Sequence, residues 1–151
     1  MTQKLASRFS DYAEFHTTKG NQVTHYFGIP MIAISTLGLL ALVTFGNEAF
    51  RSQIIRPDLG WALWALAVGF YLYLDWKIAL PFTLMMTGMY LIGRSLPWEI
   101  LVGLNIVGWV IQYYGHIKYE KNSPAFYQNV SHMLIAPLWI FSKLIRYGAK
   151  T

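Results

Sequence analysis

The residues able to do chemistry in this chain are few, and they are grouped. It contains four histidines, His16, His25, His116 and His132, and no cysteine. Thiolate chemistry and disulfides are therefore excluded, and imidazole becomes the main candidate metal ligand. His16, Asn21 and His25 lie in one polar knot, FHTTKGNQVTHYFGIP at 15–30, and His116 and Glu120 in a second, GHIKYEKNSPAF at 115–126. Gln112, His116 and Glu120 are each four apart, so on a continuing helix they share a face. Glu120 then has three possible roles: accepting a hydrogen bond from a ligating histidine, ligating directly, or pairing in solvent with Lys118 or Lys121. Asn21 stands four before His25, placed to cap the following helix or to support a ligand. Tyr12 stands four before His16 and either lines the site or packs beside it.

This donor set is poor. Four histidines without an HxxxH or HxxHH box do not make the histidine-rich di-iron centre of the membrane desaturases. A single metal with open positions fits better. Histidine and carboxylate ligands with vacancies suit Fe(II) and oxygen chemistry. Zinc-dependent lipid hydrolysis uses similar ligands. A non-catalytic membrane scaffold whose histidines rest at headgroup depth is the third reading. His16, His25, His116 and His132 are the candidate ligands, and Glu120, Asn21 and Tyr12 the candidate catalytic residues.

The elements that position these groups read as membrane helices. Charged residues make up 13% of the chain, against roughly 25% in a soluble domain. The net charge of +5 is scattered among apolar runs, which points to lipid headgroups and away from nucleic acid. An amphipathic helix is expected over 2–18, with Leu5, Phe9, Tyr12 and His16 on one face, broken by Lys19-Gly20-Asn21. Asp11 and Glu14 in this polar start argue against a cleavable leader. Uncharged apolar runs follow at 29–45, 59–74, 78–93 and 100–117, separated by Gly46-Asn47 with Glu48, Arg51 and Arg56, by Asp75-Trp76-Lys77, and by 94–99. Each middle run spans about 24 Å at the helical rise, either a short crossing or half of a re-entrant hairpin. The last segment, 122–142, holds Gln128, Asn129, Ser131 and His132 and should be kinked or divided by Pro137. The expected fold is an all-α integral membrane bundle, one domain over 1–151. It has about four transmembrane helices, an N-terminal amphipathic helix and a C-terminal interfacial helix.

Parity then places both knots and both termini on one membrane face. That face holds Lys4, Arg8, Lys19, Lys77, Lys118, Lys121, Lys143, Arg146 and Lys150, and the other only Arg51, Arg56 and Arg94. The positive-inside rule makes the richer face cytoplasmic, in the plasma membrane of a bacterium or the endoplasmic reticulum of a eukaryote.

Two motifs, with the hydropathy pattern between them, give a resemblance over nearly the whole chain. One is His16-x4-Asn21-x3-His25 running into Gly28-Ile29-Pro30. The other is Gly115-His116-x3-Glu120-Lys121-x2-Pro124-Ala125, preceded by Trp109 and Gln112. Together they resemble the small membrane 2-hydroxy fatty acid dioxygenases of fatty acid α-oxidation. The resemblance implies an Fe(II) enzyme that consumes O2 and returns a fatty acid one carbon shorter. It also implies roles for His16, His25 and His116; His132 stands where that family often has Gln. A 2-hydroxy acid offers a carboxylate and a neighbouring hydroxyl as a chelating pair. Its tail is expected to lie between apolar helices, against Phe, Trp and Met side chains of 59–93.

Overall fold

The computed structural model describes residues 1–45 and 57–148, and its regular elements among those residues are all helices. The expected loop residues Gly46, Asn47, Glu48, Arg51 and Arg56, and the terminal Lys150, lie outside the described residues. Helix α1 spans Gln3–Ala13, α2 Lys19–Leu40, α3 Leu59–Ser95, α4 Trp98–Gly115 and α5 His132–Leu144. A π-helical turn, His116–Glu120, extends α4, and a 3₁₀ turn lies at Ala125–Tyr127. Three of these helices, Lys19–Leu40, Leu59–Ser95 and Trp98–Glu120, are long and apolar enough to cross a membrane.

Helix α1 begins where the Thr2 hydroxyl accepts from the Leu5 backbone N–H at 3.2 Å. Leu5, Phe9 and Tyr12 are buried along one face, as their spacing predicts. The helix is shorter than expected: it ends at Ala13, and a turn, not a helical face, carries the chain to His16. The break thus falls before Lys19-Gly20-Asn21, which form the first turn of α2. The N-cap of α2 is Thr18, whose hydroxyl accepts from Asn21 N–H at 3.4 Å, so Asn21 does not cap the helix. The first apolar run was expected to extend to 45, but α2 ends at Leu40.

Helix α3 is a hairpin. Asp75 has φ −164° and ψ 101°, outside helical geometry. The Tyr90 hydroxyl donates to Asp58 Oδ2 at 2.8 Å, whereas on a straight helix those residues would be about 48 Å apart. Tyr71 and Phe82, on opposite arms, meet edge to face at 5.1 Å. The two middle runs are therefore antiparallel rods joined at Asp75, and the bundle has four apolar rods: α2, the two arms of α3, and α4. Helix α2 packs against both α3 and α4. The approach to α3 is close enough that a Cβ on Gly38 would stand 2.6 Å from the Gly93 carbonyl oxygen.

The Asp75 end of the bundle gathers the rest of the chain. Asp75 Oδ2 accepts from the Thr2 backbone N–H at 2.8 Å and from the Tyr147 hydroxyl at 2.9 Å. Helices α1 and α5 pack on this end, and Leu5, Phe9, Leu74, Ile78, Ile135 and Leu138 share one core cluster. Pro137 sits inside α5 without dividing it, and Gln128, Asn129 and Ser131 precede the helix. Ile135, Leu138, Trp139 and Ile140 are buried, so α5 is tucked under the rods and its last turn carries Lys143 over the Trp139 ring at 3.8 Å.

A buried three-histidine site

His16 follows the turn after α1, His25 stands in the second turn of α2, and His116 opens the π turn after α4. Each is only 2% exposed. Their ring centroids lie 4.4 Å (16 to 25), 4.9 Å (16 to 116) and 5.0 Å (25 to 116) apart. One potential ligand atom from each lies within 4.8 Å of the others. Backbone carbonyls set two of the tautomers. His16 Nδ1–H donates to Tyr12 O and His25 Nδ1–H to Asn21 O, each at 2.8 Å. In the neutral rings this leaves both Nε2 atoms as lone pairs, facing each other at 2.9 Å. Burial, against the smaller opposing pull of the Tyr12 carbonyl, holds the His16 pKa down at about 4, so this ring is neutral at pH 7. His116 Nδ1 is buried with no hydrogen-bond partner among the described residues.

Two lone pairs at that distance repel unless a cation sits between them. Three imidazoles converging in a buried pocket could hold a divalent transition metal. Other side chains hold the rings. Tyr12 stacks on His16 with centroids 4.0 Å apart, and Trp139 meets Tyr12 edge on at 5.1 Å. Gln22, which the sequence reading passed over, donates to the His16 carbonyl at 2.7 Å. Nothing in the spacing of Gln22 marks it, because its partner is backbone across a turn.

The remaining candidates surround this group. Glu120 accepts from Thr17 Oγ1 at 2.9 Å, from Thr18 N–H at 2.8 Å, from Thr18 Oγ1 at 3.0 Å and from Asn21 Nδ2 at 3.3 Å. Its carboxylate thereby clamps the end of the π turn to the start of α2 and stands outside the three-histidine group. Asn21 joins that clamp through its side chain and orients His25 through its carbonyl. His132 opens α5 and is also buried, with Nε2 3.7 Å from Asp11 Oδ2 and its ring edge-on to Tyr12 at 5.8 Å. It too lies outside the group of three, though it lines the same cavity.

That cavity has a volume of about 440 Å³ and begins at the histidines. Its walls are mostly apolar. Ile29, Ile32, Ala33 and Leu37 of α2 form one side, and Leu63, Ala67, Tyr71 and Met86 of α3 another. Of the Phe, Trp and Met side chains expected from 59–93, only Met86 contributes; much of the wall comes instead from α2 and from 130–137. Trp109 and Phe126, with centroids 5.4 Å apart, complete the side nearest the second knot.

Residues 2–147 match the Mpo1-like family model, described as 2-hydroxy-palmitic acid dioxygenase Mpo1-like. The chain is also similar to the 2-hydroxy-palmitic acid dioxygenase MPO1 of Saccharomyces cerevisiae. The two are 27% identical over 150 residues, covering 95% of this chain and 82% of that protein. No solved structure matches it.

Proposed function

The chain belongs to the Mpo1-like family, and from that membership we propose that it is a 2-hydroxy fatty acid dioxygenase. The substrate is a long-chain 2-hydroxy fatty acid, the oxidant is O2, and the product is the fatty acid one carbon shorter. The balance closes with C1 leaving as carbon dioxide and the remaining oxygen as water, so no separate reductant is called for. The observation that supports this reading most is the three-imidazole group opening onto an apolar cavity. His16, His25 and His116 would hold Fe(II), which when bound supplies the oxygen-activating and substrate-chelating chemistry that imidazoles lack.

The chain's own residues supply the rest. The Tyr12 and Asn21 carbonyls keep two ring tautomers presenting Nε2. The closely packed rings of Tyr12 and Trp139 keep water from the buried histidines. The cavity wall receives the acyl tail, each buried methylene contributing roughly 0.8 kcal/mol. The histidine end faces the cytoplasm in this reading, so the acid's head meets the site while its tail comes from the bilayer.

The test is purified protein in detergent with Fe(II), 2-hydroxypalmitate and air, followed by mass spectrometry of the acids. The shortened acid is expected only with oxygen and iron together. Equal turnover without oxygen, or with zinc in place of iron, would sink the dioxygenase reading in favour of hydrolytic metal chemistry on the same residues.

A further inference from the structure

Gln112 lies on α4 one helical turn before His116, on the same face. It is only 6% exposed, and its Nε2 has no hydrogen-bond partner among the described residues. A buried donor left unmet costs roughly 1–3 kcal/mol, a cost that an apolar side chain of similar size avoids. Gly28 on α2 leaves the space it occupies: a Cβ at that position would stand 2.8 Å from Gln112 Nε2 and 3.2 Å from its Cγ. The opposing helix thus omits a side chain where this carboxamide rests.

The position of the amide is specific. Gly28 is three residues past His25 and directly before Ile29, where the apolar wall starts. Gln112 lines the cavity together with His25, His116 and Ile29, so it stands where the histidine group gives way to that wall. Three other polar side chains lining the cavity have partners. Tyr71 donates to the Leu134 carbonyl at 2.8 Å, Thr36 accepts from Asn105 at 3.2 Å, and Ser131 donates to Asn129 at 2.7 Å.

We propose that Gln112 recognises the substrate's 2-hydroxyl: its carboxamide, which rests against Gly28, turns to donate from Nε2 to the hydroxyl oxygen when the acid fills the cavity. This rests on the reading of the cavity as a 2-hydroxy fatty acid site. A simple fatty acid fits the same apolar wall but leaves the amide unmet. A site built around a hydrogen bond to a hydroxyl discriminates in that way against the analogue without it.

The variant is Gln112→Met, which keeps the length and removes the donor. Wild type and variant, loaded with Fe(II) in detergent under argon, are titrated with 2-hydroxypalmitate and with palmitate. The Kd for 2-hydroxypalmitate is expected to rise about tenfold, the loss of a single hydrogen bond, while that for palmitate is unchanged. Metal content should match wild type, and the ligand-free melting temperature should hold or rise, because an unmet polar group has been removed. A variant that weakens both acids alike, changes neither, or loses fold or metal overturns the proposal. If wild type fails to shorten 2-hydroxypalmitate in air, the reading of the reaction falls. If wild type turns over and Gln112→Met keeps its preference for the hydroxy acid, only the role of Gln112 falls.

Discussion

His16 and His25 face each other through Nε2 because each Nδ1–H is committed to a backbone carbonyl four residues earlier. Neither ring can turn its lone pair away without breaking that bond in a buried site. A bound cation should therefore depend on all three rings. His116→Ala is expected to abolish metal retention through gel filtration, measured by atomic emission, while Gln128→Ala, at an exposed position, should leave it intact. Full occupancy in His116→Ala would mean that the ligands lie elsewhere. These three histidines were legible from residue type and from their place in two polar knots. His132 was legible only as a fourth member of that set. Spacing along the chain did not show that the Tyr12 ring contacts both it and His16, at 5.8 Å and 4.0 Å, nor that Asp11 stands beside it.

Between elements, the site depends on how the end of α4 meets the start of α2. The π turn His116–Glu120 closes with Lys121 in the left-handed region at φ 54°, and it delivers the Glu120 carboxylate to Thr17, Thr18 and Asn21. Hydrogen bonds to a charged acceptor are about twice as strong as neutral ones. Glu120→Gln should therefore loosen the seating of His116 against His25 without removing a ring. Metal affinity, measured by chelator competition, is expected to fall by up to roughly 10-fold, the low end for an outer partner of a ligand, because Glu120 reaches His25 only through Asn21. Unchanged affinity would show that the clamp is incidental. The i, i+4 register of His116 and Glu120 was readable from sequence, but the direction of the carboxylate was not. A helix continued at 3.6 residues per turn and a π turn send it to different neighbours. Likewise the α1–α2 break falls earlier than the sequence suggests, because Lys19-Gly20-Asn21 resembles a helix breaker locally while Thr18 supplies the actual cap.

At the scale of the whole molecule, Asp75 ties three distant parts of the chain together. It turns the α3 hairpin, accepts from the N-terminal Thr2 and accepts from Tyr147 beyond α5. Bonds to a buried charge contribute about 1.5–3 kcal/mol each. Asp75→Asn should lower the melting temperature in detergent by a loss on the order of 1–3 kcal/mol, because the amide keeps an acceptor but not the charge. A melting curve unchanged by this substitution would show that α1 and α5 dock without it. The hairpin also bears on orientation. Because the two arms of α3 run antiparallel, the Asp75 turn lies at one end of the bundle and Ser95, after the second arm, at the other. Thr2 and Tyr147 meet at Asp75. The basic residues divide along this axis, with Lys4, Arg8, Lys77, Lys143 and Arg146 near the Asp75 end and Arg94 at the far end. Lys/Arg asymmetry favours the richer end in the cytoplasm. Single cysteines at the exposed positions Lys121 and Ser95 test this in a chain with no native cysteine. Ser95→Cys should react with an impermeant maleimide in intact cells, and Lys121→Cys should react only after permeabilisation. Labelling of Lys121→Cys from outside would invert the orientation and place the histidine site on the opposite face. The acid's head would then have to reach it from outside the cytoplasm.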